Sequence, residues 1–161
     1  MIFWNRELFK PGLHDIGETE LSYWNMVDVK SDDGGKRLVI RIRKNKPPIP
    51  DIKKYKTCIE IKWDYSLQAA GMPDEKTSSA YKCFEEAIDE LCWYNNLSFN
   101  VRITTGMGAR VWVFYTKSYK EFIKILNRKL EELPTYPLNI WKYNNAALAS
   151  FFLVVFVLFQ F

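Results

Sequence analysis

From Thr57 onward the apolar residues change their period in a fixed order, and that order limits the possible folds more than any other feature of the chain. Ile59, Ile61 and Trp63 recur at every second position over Thr57 to Tyr65, with Cys58, Glu60 and Lys62 between them. A period of two sends alternate side chains to opposite faces of a strand. Ala80, Cys83, Phe84, Ala87, Ile88 and Leu91 then follow at helical spacing, opposite Glu85, Glu86, Asp89 and Glu90. This predicted helix opens at Gly71-Met72-Pro73-Asp74, where Asp74, Thr77 or Ser78 can cap it, and Asn95-Asn96 stops it. Alternation returns at Phe99, Val101 and Ile103, and again at Val111, Val113 and Tyr115, with the chain turning at Gly106-Met107-Gly108. A second helix is predicted from about Ser118 to Leu133, buried along Tyr119, Phe122, Ile123, Leu126 and Leu130. Pro134 ends it, and Tyr136 to Tyr143 reads as a last strand.

The order is therefore strand, helix, strand, strand, helix, strand. Two helices with one apolar stripe each must both cover the same sheet face. The expected fold is α+β, a ferredoxin-like layer of two helices on one face of a mainly antiparallel sheet. Upstream, Glu20 to Arg43 reads as a hairpin extending the sheet edge. Ser31-Asp32-Asp33-Gly34-Gly35 makes its turn, and Leu38, Ile40 and Ile42 alternate with arginines after it. Residues 1 to 18 read as a short strand and a loop, and Lys44 to Lys54, with Pro47, Pro48 and Pro50, as a connector. Residues 1–145 are expected to form a single domain, followed by an apolar segment, 146–161.

The stretch Arg102-Ile103-Thr104-Thr105-Gly106, with Gly108-Ala109-Arg110-Val111-Trp112-Val113-Phe114-Tyr115, resembles the signature hairpin of the bacterial domain-of-unknown-function family 695 (DUF695). In that family a strand ending in Arg-x-Thr precedes a Gly, an Arg and an aromatic-rich strand. Gly71-Met72-Pro73 and Pro134-x-Tyr136 also fall where the family places them. The resemblance covers roughly residues 55 to 143. The family closes with an acidic, Trp-containing segment, where this chain has Asn144-Asn145-Ala146 and an apolar run. The resemblance implies no activity. A distant similarity to the ribonuclease E inhibitors of the regulator B type implies a protein-binding role.

Composition narrows the chemistry. A formal charge of +4 on 161 residues falls short of the basic clustering of a dedicated nucleic-acid binder. Cys58, Cys83 and Cys92 are widely spaced and His14 is the one histidine, so no zinc-ligand pattern exists and no cofactor is expected. The N-terminus lacks the charge and apolar pattern of a signal peptide, which makes reduced, half-buried cysteines in a cytoplasmic protein the expectation. No catalytic residue is assigned. His14 lies in a Pro/Gly loop with no nucleophile beside it, Cys83 falls on the apolar stripe, and the acidic residues occupy what should be a solvated helix face.

The sheet face away from the helices is the expected binding surface. Strand alternation is read as grouping Arg102, Thr104, Arg110, Trp112 and Phe114 there, with Glu60 and Lys62, and with Trp141, Tyr143 and Arg41 as possible neighbours. Arginine among aromatics suits a protein partner, and the first reading is a non-catalytic protein-binding regulator or inhibitor. A single-stranded RNA platform on the same face is the alternative. A hydrolytic enzyme is a third and weaker one. The rival to all of these is a second core, with terminal segments folded over the face. Ala146 to Phe159, apolar except for Ser150, leaves three readings open: a buried element, a membrane contact through a short tail anchor, or an altered terminus.

Overall fold

The computed structural model describes residues 24–30, 36–43, 51–66, 71–93 and 96–144. His14, the turn at 31–35, the prolines of the connector and the apolar run after residue 145 lie outside them, as do the readings made of those segments.

Six strands form one sheet: β1 (Trp24–Lys30), β2 (Arg37–Arg43), β3 (Thr57–Asp64), β4 (Ser98–Gly106), β5 (Ala109–Thr116) and β6 (Leu138–Asn144). Their order is β1-β2-β4-β5-β3-β6, and every neighbouring pair is antiparallel. Helix α1 (Glu75–Ile88) and a single turn, α2 (Glu90–Trp93), connect β3 to β4, and α3 (Tyr119–Leu130) connects β5 to β6. The predicted hairpin is present as β1 and β2, and it adds to the sheet beside β4. None of the helices among the described residues is long and apolar enough to cross a membrane.

Local sequence explains where the helices start. Of the three candidate caps for α1, Asp74 serves: its Oδ1 accepts from the Thr77 amide at 2.7 Å. Ser118 Oγ does the same for the Glu121 amide at the start of α3. Along α1 the buried side chains are Tyr81, Phe84 and Ile88, and Leu91 continues them in α2. Cys83, expected on this stripe, is exposed. At 100° per residue, Cys83 lies well off the centre set by Tyr81, Phe84 and Ile88. Tyr81 takes the stripe position instead.

The two faces of the sheet are best named by the residues β5 sends to them. On the Trp112 face, Ile61 stands beside Trp112 and Ile59 beside Phe114, while Ile140 of β6 flanks Ile61. Phe84 of α1 meets Trp112 with ring centroids 4.9 Å apart, and Phe122 of α3 meets Phe114 at 5.4 Å, both edge to face. Trp63 closes the end of this core against Tyr81 at 4.8 Å and Tyr136 at 4.5 Å. The Tyr115 face carries a second, smaller cluster: Tyr55, Cys58, Phe99, Val101, Val113 and Tyr115. Phe99 stacks on Tyr115 at 5.9 Å, and Tyr55 packs its edge on Phe99 while donating its hydroxyl to the Asn96 carbonyl at 2.5 Å.

The hairpin β4–β5 overturns the expected assignment of faces. Gly106 pairs with Ala109, so the turn consists of Met107 and Gly108 alone. Both have positive φ, at 54° and 80°, the backbone of a two-residue hairpin turn whose twist matches the strands. Treating Gly106, Met107 and Gly108 all as turn residues shifts the pairing by one, and a one-residue shift exchanges the faces of one strand relative to the other. In the observed register Arg102 stands beside Val113 and Ile103 beside Trp112. Trp112 and Phe114 are therefore core residues beneath Phe84 and Phe122, and they do not share a face with Arg102.

Candidate functional site

Once Trp112 and Phe114 are removed, the predicted site divides between the two faces. Arg102, Thr104 and Trp141 remain together on the Tyr115 face. The register lines up Trp141, Glu60, Val113, Arg102 and Ile42 in one row across β6, β3, β5, β4 and β2. The next row holds Asn139, Lys62, Val111, Thr104 and Ile40. Trp141 and Arg102 are three strand spacings apart, about 14 Å at the usual separation, so one partner surface can reach both. A single small ligand cannot.

Exposure along these rows is uneven. Val113 and Ile42 are buried, Arg102, Thr104, Glu60 and Lys62 are half-buried, and Trp141 and Tyr143 are 41% and 47% exposed. β6 is an edge strand of the sheet as described, and its two rings, two residues apart, point to the same side. Large aromatic side chains left in water at a strand edge are the kind of surface that a partner covers. Cys58 stands beside Tyr143 in the pairing, and burial pushes its thiol up to about 11, with Glu60 adding to the rise and Arg102 opposing it. It is held as the neutral thiol at ordinary pH, which disfavours nucleophilic use.

Arg110 and Arg41 belong to the opposite, Trp112 face. Arg110 stands beside Thr105, and Arg41 beside Ile103. A carboxylate read from sequence as solvated organises this region. Glu85 turns inward from α1, and its Oε1 accepts from Arg110 Nε at 3.1 Å, Arg110 Nη2 at 2.5 Å and Trp112 Nε1 at 2.6 Å. Arg110 Nη1 also donates to Thr105 Oγ1 at 2.7 Å, and its guanidinium lies over the rings of Tyr81 and Trp112. Glu85 and Arg110 are only 28% and 13% exposed at the side chain, so the pair is shielded from water. A sequence signal for this pair existed: Glu85 follows Phe84, one residue off the stripe centre, where a side chain borders the core.

Beyond Arg110, the guanidinium groups of Arg41 and Arg43 stand 5.7 and 5.0 Å from the ring centroid of Trp24. Arg43 Nε also donates to the Asn100 carbonyl at 2.9 Å. Arg37 makes a two-pronged pair with Asp28, with Nη2 to Oδ2 at 2.7 Å. Arg41, expected as a neighbour of Arg102 on the binding face, is placed by its pairing on the other one. Among the described residues no group of three or more His, Cys, Asp or Glu side chains could hold a metal ion.

Comparison with curated proteins gives no match, and comparison with solved structures gives none. The family model described as a family of unknown function, DUF695, matches residues 22–154. The match reaches well upstream of the hairpin motif, to the start of β1, and takes in all six strands and the three helices. This chain belongs to the DUF695 family.

Proposed function

We propose that this protein is a non-catalytic, protein-binding regulator or inhibitor that contacts its partner through the β6 edge and the adjoining Tyr115 face. The observation that carries the reading is the pair Trp141 and Tyr143, exposed side by side on an edge strand. An edge strand offers backbone hydrogen bonds to an added strand, and the two rings supply apolar area beside it. Arg102, Thr104, Glu60 and Lys62 give the inner part of that surface its polar character.

The fold supports this reading in its finer form. Within β3 to β6 the spatial order is fourth, first, third, second, and both long helices place a phenylalanine on the rings of β5. These features favour a ferredoxin-like unit with both helices on one side, extended by β1 and β2. A likeness to the regulator B inhibitors of ribonuclease E, and a place in a bacterial cytoplasm with its three cysteines reduced, belong to the same proposal. The RNA alternative loses two of its rings, because Trp112 and Phe114 lie beneath the helices.

The test compares the full chain with its Trp141→Ala/Tyr143→Ala form in affinity capture from a native extract. Both forms should melt at nearly the same temperature, since the two rings are largely in water. A protein held by the first and released by the second is the expected result. Equal recovery by both would remove β6 from the interface. Retention on heparin that falls steeply with salt, and is lost on Arg102→Gln, would transfer the surface to nucleic acid.

A further inference from the structure

Several buried polar atoms of the Trp112 face have no hydrogen-bond partner. They are Arg41 Nε, the Tyr81 hydroxyl, and both Nδ2 and Oδ1 of Asn100. Buried polar groups are almost always satisfied, so these four atoms need an explanation. Arg102 Nε, on the Tyr115 face, is a fifth among the described residues and lies apart from them. Asn100 pairs with Phe114 and Arg41 with Ile103, which puts both on the side where Tyr81 and Glu85 descend from α1. These residues form a polar strip between α1 and β2, with Arg110 at one end and Trp24 near the other.

Charge along this strip is unbalanced. Arg41 feels Glu85 as an attraction and Arg110 as a repulsion, and burial lowers its pKa more than either changes it. Glu85 Oε1 already receives Arg110 and Trp112. One carboxylate thus faces two enclosed guanidinium groups. A buried cation is costly unless an anion and hydrogen-bond acceptors meet it. Water can accept the Nε–H but brings no charge. An oxyanion supplies both, and a planar guanidinium is the side chain best matched to one.

We propose that the strip binds a small oxyanion, a carboxylate or phosphoryl group, with Arg41 as its principal donor and Asn100 Nδ2 or the Tyr81 hydroxyl as a second. Trp24, Arg41 and Arg110 each keep part of their surface in solvent, which gives a small ligand a way in. Trp24 forms an aromatic wall against the arginines. The site is on the opposite face from Trp141 and Tyr143, so it stands or falls independently of the protein-binding surface.

Titration of the full chain with inorganic phosphate and, separately, with acetate tests this, with sodium chloride at matched ionic strength as reference. One of the two anions should raise the melting temperature saturably, and which one does so identifies the chemistry of the bound group. Arg41→Gln should weaken that binding by about tenfold or more, the worth of one hydrogen bond to a charged group, while Arg37→Gln on the same strand should not. Absence of any saturable effect, or an equal effect in Arg41→Gln, overturns the site. If Arg41→Gln does not fold, the Arg41 Nε–H resonance of the unaltered protein decides. Its displacement on titration supports the site, and a fixed signal at saturating anion overturns it.

Discussion

At the scale of single residues, the stability of this fold rests on a few aromatic side chains whose position depends on one register. Trp112 is 1% exposed, meets Phe84 and Tyr81 with its ring, and donates its Nε1–H to Glu85. Trp112→Ala should cost about 3–5 kcal/mol, as truncation of a buried aromatic usually does, measured by urea denaturation. A loss below about 1 kcal/mol, the range of surface substitutions, would place the ring outside the core. The cysteines offer a second check. Cys83 is exposed, whereas Cys58 is buried with its thiol pushed up to about 11. At pH 8 a thiol reagent should label Cys83 in the folded protein and spare Cys58 until the chain is unfolded. Peptide mass mapping that finds Cys58 labelled as fast as Cys83 would show the Tyr115 face to be open to water.

At the scale of elements, the β4–β5 hairpin controls most of the arrangement. Its first glycine has a role that is not apparent from the turn alone. Gly106 has φ of 145°, and a Cβ there would lie 2.2 Å from the Arg37 carbonyl oxygen and 2.9 Å from the Leu38 Cα. Both are backbone atoms of β2, the strand paired with β4, and neither can swing aside. Gly106→Ala should therefore separate β2 from the end of β4, with a loss well above the ~0.5–1 kcal/mol that a glycine-to-alanine change gains inside regular structure. Hydrogen exchange should show faster exchange at the Leu38–Gly106 end of that ladder. Unchanged protection there would mean that the close approach is relaxed in solution.

At the scale of the whole molecule, ionisable groups buried as neutral acids set the response to base. Burial raises Cys58 to about 11 and Tyr115 to about 12, and it raises Tyr81 further. In the unfolded chain these groups release their protons near their ordinary values, ~9 for the thiol and ~10 for the phenols. The unfolded state then holds fewer protons than the folded one, so stability falls as pH rises. The denaturation midpoint should be level through neutral pH and decline from about pH 9 upward. A midpoint that holds steady to pH 11 would show these side chains to be solvated. On the acid side, the carboxyl of Asp74 is pulled below its ordinary range by the Thr77 hydrogen bonds, so its cap on α1 is kept above that range and lost as pH falls through the lowered value.

The sequence by itself determined the order of elements from Thr57 onward, the place where the first helix is capped and most of the core. Alternation at Ile59, Ile61 and Trp63, and helical spacing at Phe84, Ile88, Phe122 and Leu126, identify those residues as buried, because period and apolarity are local properties. It also carried the family, through the hairpin from Arg102 to Tyr115. Tertiary structure alone decided which side of β5 packs against Phe84 and Phe122. When Trp112 and Phe114 alternate with Val111, Val113 and Tyr115, both sets are apolar, so neither face declares itself. The choice then rests on whether Gly106 pairs across the turn or belongs to it. Glu85 shows the same limit. Its place after Phe84 puts it only at the border of the buried stripe, and the approach of Arg110 and Trp112 from a strand 25 residues away makes it an acceptor inside the fold. Local periodicity records what a side chain prefers, whereas partners distant in sequence decide what it meets.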